Sequence, residues 1–212
     1  DSLLLKSLAE TLYMLSISAI IAALIGIPLG ILLVVTEKHG ILSCPLLNQP
    51  LAFIINLIRS IPFIILMVAI IPFTRLVAGT SIGTTAAIVP LTIAAIPYTA
   101  RMVETSIREI PFGLIEAAES MGASPLQIIW KVLIPEALPS IIESLTVVIV
   151  SLIGASAMAG TIGGGGLGDL AIRYGYQRFQ ADVMIATIIV LVIIVQLIQF
   201  IGSNMAKKAD KR

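Results

Sequence analysis

The side chains that most often carry out chemistry in proteins are scarce in this sequence. There is one cysteine, Cys44, and one histidine, His39, which excludes a disulfide framework and argues against a zinc site. No nucleophile and base stand at helical spacing within an apolar segment, which disfavours an intramembrane enzyme. We therefore expect no catalytic residue and no metal site. His39 is interpreted as a solvated loop residue and Cys44 as a buried or interfacial thiol.

A cluster of glycines in GTIGGGGLGDL (residues 160–170) raises the question of phosphate binding. The cluster lacks the Gly-Lys-Ser/Thr ending of a phosphate loop and follows no predicted strand, so nucleotide binding is disfavoured. Because glycine permits tight turns, two interpretations stay open. The cluster is either a flexible turn that meets a partner protein or a simple helix terminator.

A polar segment, EAAESMGASPLQIIWKVLIPEALP (residues 116–139), interrupts an otherwise apolar sequence. Its beginning predicts a short helix, which Gly122 is placed to end in a left-handed conformation. The residues expected on the apolar face of this helix are Leu114, Ile115, Ala118 and Met121.

A second helix is predicted to follow, because Ser124, Pro125 and Gln127 have the spacing of a capping box with proline at the first helical position. This helix is expected to end before Pro135. Its predicted apolar side consists of Leu126, Ile129, Trp130 and Leu133. Lys131 is the only basic residue between Glu109 and Ser144, too few for nucleic-acid binding. A docking surface for a protein fits better.

The composition of the chain indicates that these residues are held by helices that span a membrane. Of the 212 residues, 58% are hydrophobic and 12% are charged, and the mean hydropathy is +1.08. An ordinary soluble domain is about a quarter charged, so the expected solvent is lipid. Four charge-free runs of 24 to 26 residues exceed the roughly 20 that a membrane-spanning helix needs: residues 11–36, 76–100, 144–168 and 183–206. A fifth run, residues 51–73, contains Arg59. We predict an all-α membrane protein with five transmembrane helices.

The first run is too long for the apolar region of a signal peptide and lacks a basic start, so we interpret it as a retained helix. Because the sequence begins with Asp1, we expect further residues upstream. We treat residues 1–212 as a single transmembrane domain with a polar loop at about 102–142.

Basic residues predict the orientation, because cytoplasmic loops carry an excess of lysine and arginine. One set of segments (the N-terminal tail, second and fourth loops) holds Lys6, Arg75, Arg173 and Arg178. The other set (the first and third loops and the C-terminal tail) holds Lys38, Arg101, Arg108, Lys131, Lys207, Lys208, Lys211 and Arg212. The N-terminus is therefore predicted outside, and the C-terminus and polar segment in the cytoplasm.

Two residues within apolar runs have alternative interpretations. Arg59 either snorkels to the headgroups in a structural role or lines a pathway, and Pro62 and Pro72 would kink its helix. Met158 lies in LIGASAMAG (residues 152–160), whose small residues permit close helix packing. The alternative is an outer gate, in which this helix crosses its symmetry mate and Met158 acts as an apolar plug.

The polar segment resembles the cytoplasmic signature of type I ABC importer permeases. In that signature Glu-Ala-Ala is followed after three residues by Gly, and after nine more by Ile-x-Leu-Pro. The matching residues are Glu116, Ala117, Ala118, Gly122 and Pro135, while Val132 and Ile134 replace Ile and Leu with similar side chains. The likeness extends over nearly all 212 residues to the methionine importer permeases, through NLIRSIPFIILMVAIIPFTR, AAIVPLTIAAIPYTARMVE and YGYQR.

The resemblance implies a type I permease fold in which this segment is the coupling helix, seated in a groove of an ATP-hydrolysing subunit. Glu116 would anchor to polar groups of that subunit, and the small residues would permit close approach. The coupling residues that it implies are Glu116, Ala117, Ala118, Gly122, Ala123, Ser124 and Pro125.

The resemblance also implies the partners: a second copy of the chain, two ATPase subunits that bind ATP and Mg²⁺, and an extracytoplasmic methionine-binding lipoprotein. No cofactor is expected on this chain. The predicted function is a non-catalytic permease subunit in a bacterial inner membrane, forming half of a pathway for D- and L-methionine.

Two alternative functions stay open. One is an ABC permease for another amino acid or small solute. The other is an ion-coupled secondary transporter or channel, which is disfavoured because no acidic residue falls within a predicted span.

Overall fold

The computed structural model describes residues 2–211, and over that range it contains helices and turns but no strand, which confirms the all-α prediction. The helices in chain order are α1 (Ser2–Val35), α2 (Pro45–Ser60), α3 (Phe63–Ala69), α4 (Ile71–Ala78), α5 (Thr84–Arg108), α6 (Phe112–Ser120), α7 (Pro125–Ile128), α8 (Ile134–Thr161), α9 (Gly166–Leu170) and α10 (Ala181–Ala209). Two π-helical turns, Ile129–Leu133 and Ala171–Tyr176, follow α7 and α9. Four helices within the described range are long and apolar enough to span a membrane: α1, α5, the continuous helix Pro125–Thr161 and α10.

The second predicted span, residues 51–73, is not a straight helix. The axes of α2 and α3 differ by 103°, and the chain breaks again before α4, so the count of five spans requires that α2 and α3 form one bent span. Pro62 caps the start of α3 and Pro72 is the second residue of α4, positions that suit proline because it donates no backbone hydrogen bond. Since α2 begins at Pro45, Arg59 lies roughly four turns from its start.

The third predicted span is displaced along the chain. Residues 76–100 do not form one helix, because α4 ends where Gly79 adopts a φ of 75°, a left-handed conformation that favours glycine. The spanning helix α5 starts only at Thr84 and continues to Arg108.

The centre of the bundle is the contact between α1 and α5. Small residues recur every fourth position on α1, at Ser18, Ala22, Gly26 and Gly30, and all are buried. A Cβ atom at Gly30 would lie 2.6 Å from the carbonyl oxygen of Ala100 on α5. The two backbones therefore approach closely, which is how helices associate without a hydrophobic driving force in lipid.

Two ends of the bundle can be distinguished by their contacts. At one end, the amide of Gly83 donates to the carbonyl of Gly163 at 2.8 Å. This hydrogen bond joins the start of α5 to the turn that follows α8. At the other, Arg108 at the end of α5 binds Glu37 after α1. The predicted orientation makes these the outer and inner ends respectively.

Candidate functional site

The α6–α7 unit (α6, α7 and the π-helical turn that follows, residues 112–133) lies at the inner end and has a fixed turn. Gly122 has a φ of 78°. Its amide donates to the carbonyl of Glu119 at 2.9 Å, and the amide of Ala123 donates to that of Ala118 at 3.1 Å. These are the two hydrogen bonds of a Schellman motif. The prediction that Gly122 ends the first helix is confirmed.

The capping box is also confirmed. The Ser124 amide donates to Gln127 Oε1 at 2.9 Å, and the Gln127 amide donates to Ser124 Oγ at 3.3 Å. The second helix does not end before Pro135, however. It passes through the π-helical turn Ile129–Leu133 into α8, so that Pro135 lies in the first turn of α8. A widened turn is one way for a helix to accommodate a proline that cannot donate to the preceding turn.

The α6–α7 unit packs on the bundle through only part of each apolar face that the sequence predicts. Ala118 is only 5% exposed and belongs to a buried apolar cluster with Ile128 and Leu133 of its own segment. The other elements contribute Val35, Val103, Ile107, Ala137 and Ile141. Ile115, Ala123 and Ile129 pack against this cluster. Ala118 and Ala123 thus hold the unit on its own chain, whereas the resemblance placed both at the approach of a partner.

Large apolar side chains remain exposed on the other side of the unit. Met121 is 82% exposed and Trp130 is 68% exposed, and Phe112, Leu114 and Leu126 are exposed as well. Each predicted apolar face is therefore divided, because Leu114, Met121, Leu126 and Trp130 are exposed, whereas Ile115, Ala118, Ile129 and Leu133 contact the bundle. Four of the implied coupling residues share this exposed side: Glu116, Ala117, Gly122 and Ser124, with Pro125 half-buried. Clustered apolar side chains at a surface indicate a contact with protein or membrane.

A charged network lies on the spans beside this unit. Glu104 is buried and accepts hydrogen bonds from Arg101 and from Arg108, the latter at 2.8 Å. Arg101 also donates to Asn56 Oδ1 of α2, at 2.8 and 3.2 Å. Glu104 and Arg108 are four residues apart on α5, a spacing that brings them together on one helix. The links of the network to Glu37 and Asn56 have no local sequence signal, since they depend on how α1 and α2 pack against α5.

Arg59 lines a cavity of about 340 Å³ between the bend after α2, α5 and α8. Tyr98, Ser151 and Ala155 lie on the walls of the same cavity. The Arg59 side chain is exposed and follows Asn56 by one helical turn. It is therefore placed where it can contact solutes or water in the bundle.

Met158 lies on an exposed stripe of α8. The stripe consists of Val147, Ser151, Gly154 and Met158, spaced three or four residues apart. No atom outside the local backbone lies within 4 Å of the position that a Cβ of Gly154 would occupy. Met158 follows Ala155, a wall residue of the cavity that Arg59 lines, by about 4.5 Å of helix rise.

The remaining predictions concern loops. The glycine cluster is pinned to α1, because the Gly166 amide donates to Glu10 at 2.8 Å and the Leu167 amide to Thr11 at 2.9 Å. It is thus an anchored turn that ends α8 and starts α9. His39 is exposed, as predicted, and Cys44 is exposed as well, which excludes the buried alternative for its thiol and leaves the interfacial one as a prediction.

A bundle of apolar spans with an exposed helical unit at its inner end and residue-lined cavities between its helices defines a membrane transport subunit. The family model for the inner membrane components of binding-protein-dependent transport systems matches residues 26–212. The chain belongs to this family, as the resemblance in the polar segment implied.

The relatives are named for methionine transport. A Vibrio cholerae protein named "Probable D-methionine transport system permease protein MetI" is 54% identical over 212 residues, covering 100% of this chain and 94% of that protein. The Escherichia coli K12 protein named "D-methionine transport system permease protein MetI" is 51% identical over 158 residues, covering 74% of this chain and 73% of that protein.

Two solved structures share the fold. One, described as inward-facing conformations of the MetNI methionine ABC transporter, has a TM-score of 0.97 and 48% identity, covering 100% of this chain and 98% of that chain. The other, described as an amino acid ABC transporter with histidines, has a TM-score of 0.80 and 20% identity, covering 98% of this chain and 94% of that chain. At that identity the second likeness concerns the fold alone.

Proposed function

We propose that this chain is the permease subunit of an ATP-driven methionine importer and passes D- and L-methionine across the inner membrane. The observation that carries the proposal is the exposed face of the α6–α7 unit on a family member that resembles methionine permeases along its whole length. The exposed face is the surface to which an ATPase subunit binds, and that subunit supplies the energy for transport. ATP and Mg²⁺ are bound by that partner ATPase and not by this chain.

The coupling contact is formed by the exposed side of the α6–α7 unit. Trp130 and Met121 provide large apolar area, and Ala117 and Gly122 leave room for close approach of the ATPase. Glu116 pairs with polar groups at the rim. The Schellman turn and the capping box fix the unit's shape, so motion of the ATPase is transmitted and not absorbed locally.

Two copies of the chain complete the pathway. The exposed stripe of α8, from Val147 to Met158, meets the same stripe of the second copy across a twofold axis, as in an isologous interface. Gly154 permits the close approach, and Met158 closes the outer side as an apolar plug. Arg59 lines the route on the inner side of that gate.

A binding protein outside the membrane delivers the substrate, and ATP-driven closure of two ATPase subunits moves the two α6–α7 units together. The test is uptake of labelled methionine by the chain reconstituted with the ATPase and binding protein of its own transport system. Unlabelled L- and D-methionine are expected to compete. If another amino acid competes and methionine does not, the chain is an ABC permease for that solute.

A further inference from the structure

A second cavity, of about 410 Å³, is a cleft between α1 and α10. Its walls are aliphatic side chains: Leu8 and Leu12 lie on the α1 side, and Val190, Ile193 and Leu197 lie on the α10 side. Both helices pack against α8, which holds them next to each other. The cleft is therefore a gap between two spans, apart from the cavity that Arg59 lines.

The cleft opens at the surface that we expect to face lipid. Leu12 is 43% exposed, Ile193 is 51% exposed and Leu197 is 55% exposed. The α10 wall lies in the middle of the charge-free run 183–206. At that depth the surrounding solvent is hydrocarbon, and aliphatic walls offer a polar solute no hydrogen bond in exchange for its water. An acyl chain is thus the occupant that these walls suit.

A strip along α10 leads from the cleft to a lysine. The helix runs from Ala181 to Ala209 without an internal proline. Val190 and Lys208 are eighteen residues apart, which is five turns at 3.6 residues per turn, so they lie on the same face. Ile201, between them on that face, is 54% exposed, and Lys208 is exposed as well. The cleft therefore continues as an apolar strip that ends at an ammonium group.

The distance from this lysine to the cleft matches a single lipid leaflet. Ile198, the cleft residue nearest to the C-terminus, precedes Lys208 by ten residues, about 15 Å of helix rise. The hydrocarbon core of a bilayer is about 30 Å thick, so the chains of one leaflet extend over about 15 Å. A phospholipid whose phosphate lies at Lys208 therefore places the end of an acyl chain in the cleft.

The two ends of α10 differ in charge. Asp182 is exposed near its start, at the predicted outer end, whereas Lys207 and Lys208 are exposed in its last turn. Asp210, which follows the helix, lines a different cavity together with Glu109. Basic residues next to a span attract anionic lipid, so an anionic headgroup is attracted at the inner end of α10 and repelled at the outer end.

We propose that the cleft and Lys208 form a binding site, one per chain, for an anionic phospholipid of the cytoplasmic leaflet. One acyl chain fills the cleft, and the phosphate accepts a hydrogen bond from the Lys208 ammonium group. A zwitterionic phospholipid carries an ammonium group of its own and gains less from this contact. The site is separate from the cavity that Arg59 lines and from the exposed side of the α6–α7 unit, so the inference goes beyond the proposed function.

Photolabelling tests where the acyl chain lies. A phosphatidylglycerol with a diazirine near the end of one acyl chain is added to the delipidated complete transporter in detergent. Labelling is expected at residues 8–12 and 190–198, and unlabelled phosphatidylglycerol should suppress it more strongly than phosphatidylethanolamine with the same acyl chains. Equal labelling of Ile185 and Val192, on another exposed face of α10, overturns the proposal, because the lipid then covers the helix without selecting the cleft.

Two neighbouring lysines test the headgroup contact. Lys208→Gln should lower the affinity for phosphatidylglycerol about fivefold, measured by native mass spectrometry of the same preparation. Lys207→Gln is the matched control: it removes the same charge but lies about 100° around the helix from the strip, so it should change the affinity much less. Equal losses in the two variants overturn the site, because the tail then attracts the lipid by charge alone. Equal affinities of the wild-type protein for phosphatidylglycerol and phosphatidylethanolamine overturn it as well.

A bulky substitution tests the cleft. Leu12→Trp adds volume to the cleft from a partly exposed position, so the protein should fold and lose affinity for phosphatidylglycerol. Leu24→Trp makes the same change on the same helix, at a position that is 70% exposed, and should bind like the wild type. Wild-type affinity in Leu12→Trp would show that the acyl chain does not enter the cleft and would overturn the proposal.

Discussion

Arg108 donates two hydrogen bonds to the carboxylate of Glu37, at 3.1 and 2.8 Å, across 71 residues of sequence. The same guanidinium group reaches Glu104 on its own helix. Since α6 begins four residues after Arg108, this contact ties the start of the α6–α7 unit to the end of α1. The bidentate geometry is the strong form of an arginine–carboxylate pair and fixes orientation as well as distance.

The first prediction concerns Glu104, the buried carboxylate of this network. Glu104→Ala leaves Arg101 and Arg108 without their shared partner, and is expected to destabilise the chain by about 2–4 kcal/mol. The measurement is thermal unfolding of the purified chain in detergent. Lys6→Gln serves as the control, because Lys6 is mostly exposed and lies 4.0 Å from Glu10, and such pairs contribute little. Equal shifts for both variants would contradict a stabilising role for Glu104.

The second prediction tests the close approach of α1 and α5. Gly30→Ala places a Cβ 2.6 Å from the Ala100 carbonyl oxygen and 2.7 Å from the Val103 Cβ, so the helices must separate. A loss of about 1–3 kcal/mol is expected from such overpacking. Leu24→Ala, at an exposed position of the same helix, provides the comparison. A Gly30→Ala chain as stable as wild type would show that the helices can shift without cost.

Local signals in the sequence were sufficient for some parts of the site. The Ser124–Gln127 spacing and Gly122 determine the turn because each hydrogen bond joins residues at most five apart. Charge-free runs likewise predicted the spans α1, α8 and α10. Pro62 predicted a kink, but the 103° angle depends on packing around the break and has no sequence signal.

The inward face of the α6–α7 unit could not be predicted from hydrophobicity. Leu126 and Trp130 are as apolar as Ile128 and Leu133, yet only the second pair is buried. Ile128 and Leu133 are the buried pair because they contact the inner end of the bundle, where Val35 of α1 is part of the same apolar cluster. The links of the charged network to Glu37 and Asn56 have the same origin, because residues distant in sequence meet only in the folded chain.

The third prediction distinguishes the two faces of the unit. Trp130→Ala removes exposed apolar area and should lower co-purification with the ATPase and uptake at least tenfold, if Trp130 is an anchor of the contact. Chain stability should change little, because Trp130 is exposed. Ala118→Leu should instead destabilise the chain, since Ala118 is buried.

The control for both variants is Leu197→Ala, an exposed position on α10. It should leave association and uptake unchanged. Normal ATPase association and uptake in Trp130→Ala would refute the docking face, whatever Ala118→Leu does.

The fourth prediction tests the pairing of two copies through α8. In a Cys44→Ser background, which removes the only cysteine, Gly154→Cys is expected to form a disulfide between two chains under mild oxidation. Such a bond requires Cα atoms within about 7 Å, which the missing side chain of Gly154 permits. The product is a band of twice the mass on a non-reducing gel.

Met158→Cys in the same background reports the gate. Its disulfide should form in high yield in the resting transporter. The yield should fall when ATP and loaded binding protein open the outer side, because the two side chains at position 158 then separate. Leu197→Cys on α10 should remain monomeric throughout, since that helix buries little of its surface in the chain and is expected to face lipid. Cross-linking through the Leu197→Cys variant and not through Gly154→Cys would show that the interface lies on α10. A Met158→Cys cross-link that ATP does not affect would show that this residue is not part of the gate, while the α8 pairing would still stand.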